Sequence, residues 1–238
     1  MYVSVNIGET RHYQLSEALL IYKGSNNDCF ISRHGVAKGN TESVSPVLLP
    51  AQPLTRVFLE SLLTSLGGGS DAEVFPSNVL AKSNRLIAWW TPKKKQRMFF
   101  TTRDTTVAKL NGKMFFQPAL VWLVRDKRLS IRALLKDERP EASTKLAVAP
   151  YWNLADTGEV CLGNSRTPNT TSVASLEGWE KGFFESTFTH SNIGRSTRHP
   201  DGFAALWKGL AAKDVPFPDD ALIPLAQTLR SFIQGKSQ

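Results

Sequence analysis

Cysteine is nearly absent from this chain: 238 residues hold only Cys29 and Cys161, 132 positions apart. Two thiols so placed form neither a disulfide framework nor a zinc-finger pattern, and the sequence predicts a reduced, cytoplasmic protein. Long apolar runs are missing as well. Stretches such as Ala119 to Val124 fall far short of the roughly 20 residues that cross a bilayer, so no membrane association is expected. Polar residues near the N-terminus stand where a secretory signal would carry its apolar core. Internal repeats and low-complexity segments are also lacking. What the chain does have is apolar surface to bury. With 41% hydrophobic residues, 13 Phe and 6 Trp, it is excluded from the disordered class. Its length suits one large domain, or one domain with an extension.

Acidic residues are scarce in the middle of the chain. From Lys82 to Lys136 there are 14 Lys and Arg against Asp104 and Asp126 alone, whereas the chain as a whole is only +8. The same stretch carries Trp89, Trp90, Phe99, Phe100, Phe115, Phe116 and Trp122. Rings interleaved with cations suit single-stranded nucleic acid, and they suit an acidic protein partner equally. The plainer alternative makes the rings the core of a sheet and the cations its solvated face. Lys93-Lys94-Lys95 reads as a solvated turn between strands.

Hydrophobic periodicity divides the chain into a β-rich extension over residues 1–50 and a core over 51–238. In the extension, Leu15 to Lys23 and Cys29 to Arg33 flank a turn at Gly24 to Asp28. Leu54, Phe58, Leu62 and Leu66 then predict a helix that starts at Pro53 and stops at Gly67-Gly68-Gly69-Ser70. Between residues 73 and 149 the pattern predicts an antiparallel meander with strands at 86–90, 97–102, 106–110, 113–116, 119–124, 129–135 and 145–149. Asn111-Gly112 is its strongest hairpin signal and Asp126-Lys127 a weaker one. Helices are expected over 172–188, weakened by Gly178 and Gly182, over 203–212, and from Asp219 to Ile233 with Pro224 near its start. The fold class is α+β, a meander covered by helices.

Cys161 lies in the irregular stretch between meander and helices. Asp156-Thr157-Gly158 is a turn, which returns Cys161 close to Asn153. A thiolate beside a neutral amide donor suits acyl transfer: the sulfur carries the acyl group and the N–H steadies the oxyanion. A lone cysteine is more often a small buried hydrophobe. His12, His34, His190 and His199 are all distant in sequence, and Arg166 and Lys181, which follow the thiol along the chain, are cations that could raise its thiolate fraction. Cys29 with His34, or His190 with His199, falls short of four-ligand metal spacing, so no metal is expected.

This stretch resembles the ubiquitin-conjugating enzymes, in which a His-Pro-Asn motif precedes a thioester-forming Cys flanked by apolar residues. Asn153 eight positions before Cys161, Gly158 three before it, and Val160 and Leu162 at its sides reproduce that spacing. The order of elements is also similar. The Gly-Asn after Cys161-Leu162 resembles most the bacterial PRTRC system protein B family, in the prokaryotic branch of the superfamily. The likeness implies a UBC-like fold in which Cys161 is the thioester carrier and Asn153 the oxyanion donor. Tyr151 and Trp152, which replace His and Pro, would support that loop together with Gly158. The implied reaction moves a ubiquitin-like modifier from a ThiF-like activating enzyme to Cys161 and on to an amine. No cofactor is needed, since the activating partner uses the ATP. A residue that deprotonates the amine is not assigned; Asp156, Asn164 and Ser165 are neighbours only. Two rival readings follow: a non-catalytic scaffold that binds a ubiquitin-like protein or its activating enzyme, and a nucleic-acid-binding accessory protein that uses Lys82 to Lys136.

Overall fold

A computed structural model describes residues 2–6, 10–25, 28–37, 47–66, 74–163 and 165–235. Contacts divide the chain into two units, Met1–Glu73 and Val74–Gln238, so the boundary expected after residue 50 falls inside the first unit. That unit holds a hairpin of β1 (Tyr2–Asn6) and β2 (Thr10–Gln14). It also holds an antiparallel sheet of β3 (Glu17–Lys23), β4 (Cys29–Ala37) and β5 (Val47–Gln52). The β3–β4 hairpin is the one its flanking pattern predicts. Helix α1 (Arg56–Ser65) starts later than Pro53, because the Thr55 hydroxyl accepts from Phe58 N and makes Thr55 the cap. The glycines that follow α1 lie outside the described residues.

The second unit begins with β6 (Val79–Ser83), β7 (Leu86–Thr91), β8 (Lys95–Arg97), β9 (Phe99–Phe100), α2 (Thr105–Ala108) and β10 (Met114–Phe116). It continues with β11 (Leu120–Arg125), β12 (Arg128–Leu134), β13 (Lys145–Ala147), α3 (Leu176–Phe184) and β14 (Thr187–Phe188). It ends with α4 (Gly202–Lys213), β15 (Pro224–Thr228) and α5 (Leu229–Gln234). Six strands form an antiparallel sheet in the order β15-β13-β12-β11-β7-β6. Alternate side chains point to opposite faces, and both faces are covered. Trp89, Trp122 and Ile131 face α3 and α4, where Trp89 and Trp122 stack with centroids 5.8 Å apart and Phe183 and Phe184 meet Trp122 edge-on. Ala88, Val121, Leu123 and Leu134 face Leu229 and Phe232 of α5.

Three expected elements take a different form. Residues 106–110 belong not to a strand but to α2 and its end, because the Asp104 carboxylate accepts from Thr106 N and Val107 N. Asn111-Gly112 therefore closes a helix, and Asp126-Lys127, with φ of +47° and +66°, is the true two-residue hairpin turn. The expected helix over 219–233 is mostly β15, which pairs with β13; only Leu229–Gln234 is helical, capped by Thr228. Helix 172–188 ends at Phe184 and is followed by β14, which pairs parallel with β9. Gly178 and Gly182 are helical after all. A Cβ there would come within 2.7 Å of Pro168 Cγ and 2.8 Å of Thr167 Cγ2, so they let the chain beyond Cys161 lie against α3.

The lysine run is not a solvated turn. Lys93 Nζ lies 2.7 Å from Asp219 Oδ1, Lys94 pairs with Glu180 of α3, and Lys95 Nζ lies 2.7 Å from Asp214 Oδ1 at the end of α4. Trp89 Nε1 also donates to Glu180 Oε1 at 2.8 Å. Trp89, Phe100, Phe115 and Trp122 are all buried, as sheet-core rings. Replacing Glu180 with Ala should cost about 3 kcal/mol in urea denaturation, because it leaves a core indole and a half-buried ammonium unpartnered.

Candidate functional site

The stretch from Asn153 to Cys161 is a small hairpin on the edge of β12. Cys161 N donates to Asn153 O at 2.8 Å, Ala155 N to Glu159 O at 2.9 Å, and Gly158 N to Ala155 O at 2.8 Å. Ile131 N donates to Gly158 O and Val160 N to Leu129 O, both at 2.9 Å, and these bonds hold the hairpin to the sheet. Gly158 is obligatory at the tip. Its φ is +86°, and a Cβ would sit 2.7 Å from Ile131 O.

Alternation then places the chemistry. Leu154 and Val160 are buried in the core and Leu162 packs against it, so Cys161 between them points outward and is exposed. The residues before the hairpin anchor it. Tyr151 is fully buried among Phe183, Phe188 and Trp207, and its hydroxyl donates to Gln117 Oε1 at 2.9 Å. Burial raises that hydroxyl well above its ordinary pKa. Trp152 stacks on Phe203 at 4.8 Å, and Trp207 Nε1 donates to Pro150 O at 3.2 Å.

Asn153 ties the hairpin to a second segment. It is buried with φ +59°, a left-handed conformation that asparagine tolerates better than most residues. Its backbone N donates to His190 O at 3.0 Å and its Nδ2 to Thr187 O at 2.8 Å. Its Oδ1 accepts from Thr189 N and Thr189 Oγ1, both at 3.1 Å. Thr189 Oγ1 also lies 2.8 Å from His190 Nδ1. With the threonine proton directed at Asn153, Nδ1 is the donor of this pair, and in the neutral imidazole Nε2 then carries the lone pair.

Cys161 and Asn153 share a groove of about 410 Å³ with Ser165, Glu185, Thr189 and His190. Glu185 and His190 are exposed there. Sequence spacing missed both. The short alternation of Thr187, buried Phe188 and Thr189 was the one available signal that this segment is a strand. Arg166 and Lys181 do not line the groove; Lys181 lies 3.8 Å from Glu185 on α3. Asp156 sits at the hairpin tip, away from Cys161, and Asn164 is outside the described residues. Cys29 is exposed at the start of β4, and among the described residues no group of three or more His, Cys, Asp or Glu could hold a metal ion. No described helix is long and apolar enough to cross a membrane.

An outward thiol beside a buried carboxamide, on a mixed α+β scaffold with a helix-covered antiparallel sheet, is consistent with an E2-like fold. A family model described as prokaryotic E2 family D matches residues 57–225, and the chain belongs to that family. Membership carries a ubiquitin-conjugating-like, transferase-type role in outline. No curated protein and no solved structure matches the chain.

Two glycine variants separate the tip of the hairpin from its exit. Gly158→Ala should lose at least about 2 kcal/mol, from the collision with Ile131 O added to left-handed strain. Gly163→Ala has φ +54° but nothing within 4 Å, and should lose only about 1 kcal/mol. Thermal melts of both proteins check the difference.

Proposed function

We propose that this chain accepts a ubiquitin-like modifier as a thioester on Cys161 and passes it to an amine. The observation that carries the reading is the exposed thiol sharing a groove with the carboxamide of Asn153. The Cys161 thiolate attacks the thioester carbonyl on a ThiF-like activating enzyme, and that enzyme's thiolate leaves. An amine then attacks the new thioester, Cys161 leaves as thiolate, and the proton of the amine goes to a base. The finer likeness to the PRTRC system protein B family belongs to this same proposal.

Asn153 has two tasks here. Its Oδ1 and one Nδ2 hydrogen hold the segment from Thr187 to His190. Its second Nδ2 hydrogen has no acceptor among the described residues and serves the acyl oxyanion. His190, with Nε2 free, and Glu185 are the bases of the groove. Tyr151, Trp152 and Gly158 keep the hairpin rigid. The chain itself needs no cofactor, since ATP is consumed by the activating partner. Within the basic stretch Lys82 to Lys136, the exposed cations Arg103, Lys109, Lys113 and Lys127, which make no ion pair among the described residues, are the ones left to face an acidic partner protein.

Intact-mass measurement without reductant tests the central step. With modifier, activating enzyme and ATP, one modifier should add to the protein, be released by excess thiol and be absent in Cys161→Ala. A charged activating enzyme with no adduct on the wild-type chain would instead favour the scaffold reading. In discharge assays, His190→Gln should form the thioester normally and release it to lysine about 10²-fold more slowly. Equal discharge rates would remove His190 from the reaction.

A further inference from the structure

The tip of the hairpin also faces a second cavity, on the α5 side of the sheet, with a volume of about 930 Å³. Arg132 of β12 lies in its wall and is only 5% exposed. Its Nε donates to Gln227 Oε1 at 2.9 Å, its Nη2 to Asp156 O at 2.7 Å, and its Cζ lies 5.9 Å from the ring of Phe232. Both acceptors are neutral, and Nη1 makes no hydrogen bond among the described residues. Burial pulls the guanidinium down to about 10, with the Asp156 carboxylate acting on it only through space. A desolvated guanidinium without a hydrogen-bonded counter-ion is unfavourable, and an incoming anion would offset that cost.

The other charges of the lining largely cancel. Arg85 pairs with Asp126 at 2.6 Å, Arg128 lies 3.5 Å from Glu159, and Arg125 donates to Ile233 O at the end of α5. Asp156 is the carboxylate left without an ion pair among the described residues. Ser130 Oγ and Gln227 Nε2 add neutral donors beside Arg132.

We propose that this cavity binds a compact oxyanion, of the phosphate or carboxylate class, on Arg132 with Ser130 and Gln227. The bound anion ties the hairpin tip, through Arg132 and Asp156 O, to the sheet behind Cys161. The site stands independently of the thioester chemistry.

The test is calorimetric titration of the full chain with sodium phosphate and with sodium acetate, each against sodium chloride at equal ionic strength. Hydrogen exchange of residues 154–160 is followed alongside. Saturable binding is expected, with slower exchange in the hairpin, and the better of the two anions identifies the ligand class. Gln227→Glu places a carboxylate on Arg132 Nε from within; it should weaken anion binding at least about tenfold while melting no lower than the parent. Asp156→Asn removes the competing carboxylate and should tighten binding. Phosphate and acetate indistinguishable from chloride, or binding unchanged in Gln227→Glu, would overturn the proposal.

Discussion

Much of the second unit converges on one residue. Asn153 receives the amide of Cys161, gives its own amide to His190 O, and uses its carboxamide to hold Thr187 and Thr189. Three chain segments, the end of the meander, the thiol strand and the strand after α3, are joined at this point. A left-handed backbone is what lets the chain turn there, and burial of the carboxamide makes each of its hydrogen bonds count. The aromatic cluster around Tyr151 fixes the approach to this knot from below.

Much of this order was legible in the sequence, for identifiable reasons. Short continuous apolar runs marked β7 and β11, and apolar segments marked β12 and β13, because side chains on both faces of those strands are covered. The spacing of Asn153, Gly158 and Cys161 encoded a real hairpin, with Gly158 where a side chain would collide with Ile131 O. Elements decided by tertiary contact were harder to read. Leu222 and Leu225 carry a helical rhythm, yet β13 offers a free edge, and residues 224–228 pair with it. Gly178 and Gly182 counted against α3 by propensity and are present because another chain segment packs on them. The far wall of the groove was illegible, since nothing local links Glu185 or His190 to a cysteine more than twenty positions earlier.

Charge counting along the chain misled in a similar way. The basic central stretch is surplus only in sequence. In three dimensions Lys93, Lys94 and Lys95 meet acids from the net acidic remainder, and this clamp joins α3, α4 and the loop before β15 to the sheet. Its rings are mostly core. The cations exposed without an ion pair among the described residues are Arg103, Lys109 and Lys113 around α2, and Lys127 in the β11–β12 turn.

The span of the bonds at Asn153 also bears on how the chain acquires its groove. The hairpin closes over eight residues and is a fast local event, whereas its ties to Thr187 and Thr189 span 34 and 36 residues and wait for α3 to fold back. The thiol is therefore presented early and its surroundings are completed late. Any reactivity of Cys161 that depends on the groove then reports long-range native structure, so this one side chain can serve as a built-in gauge of whether the second unit has finished folding.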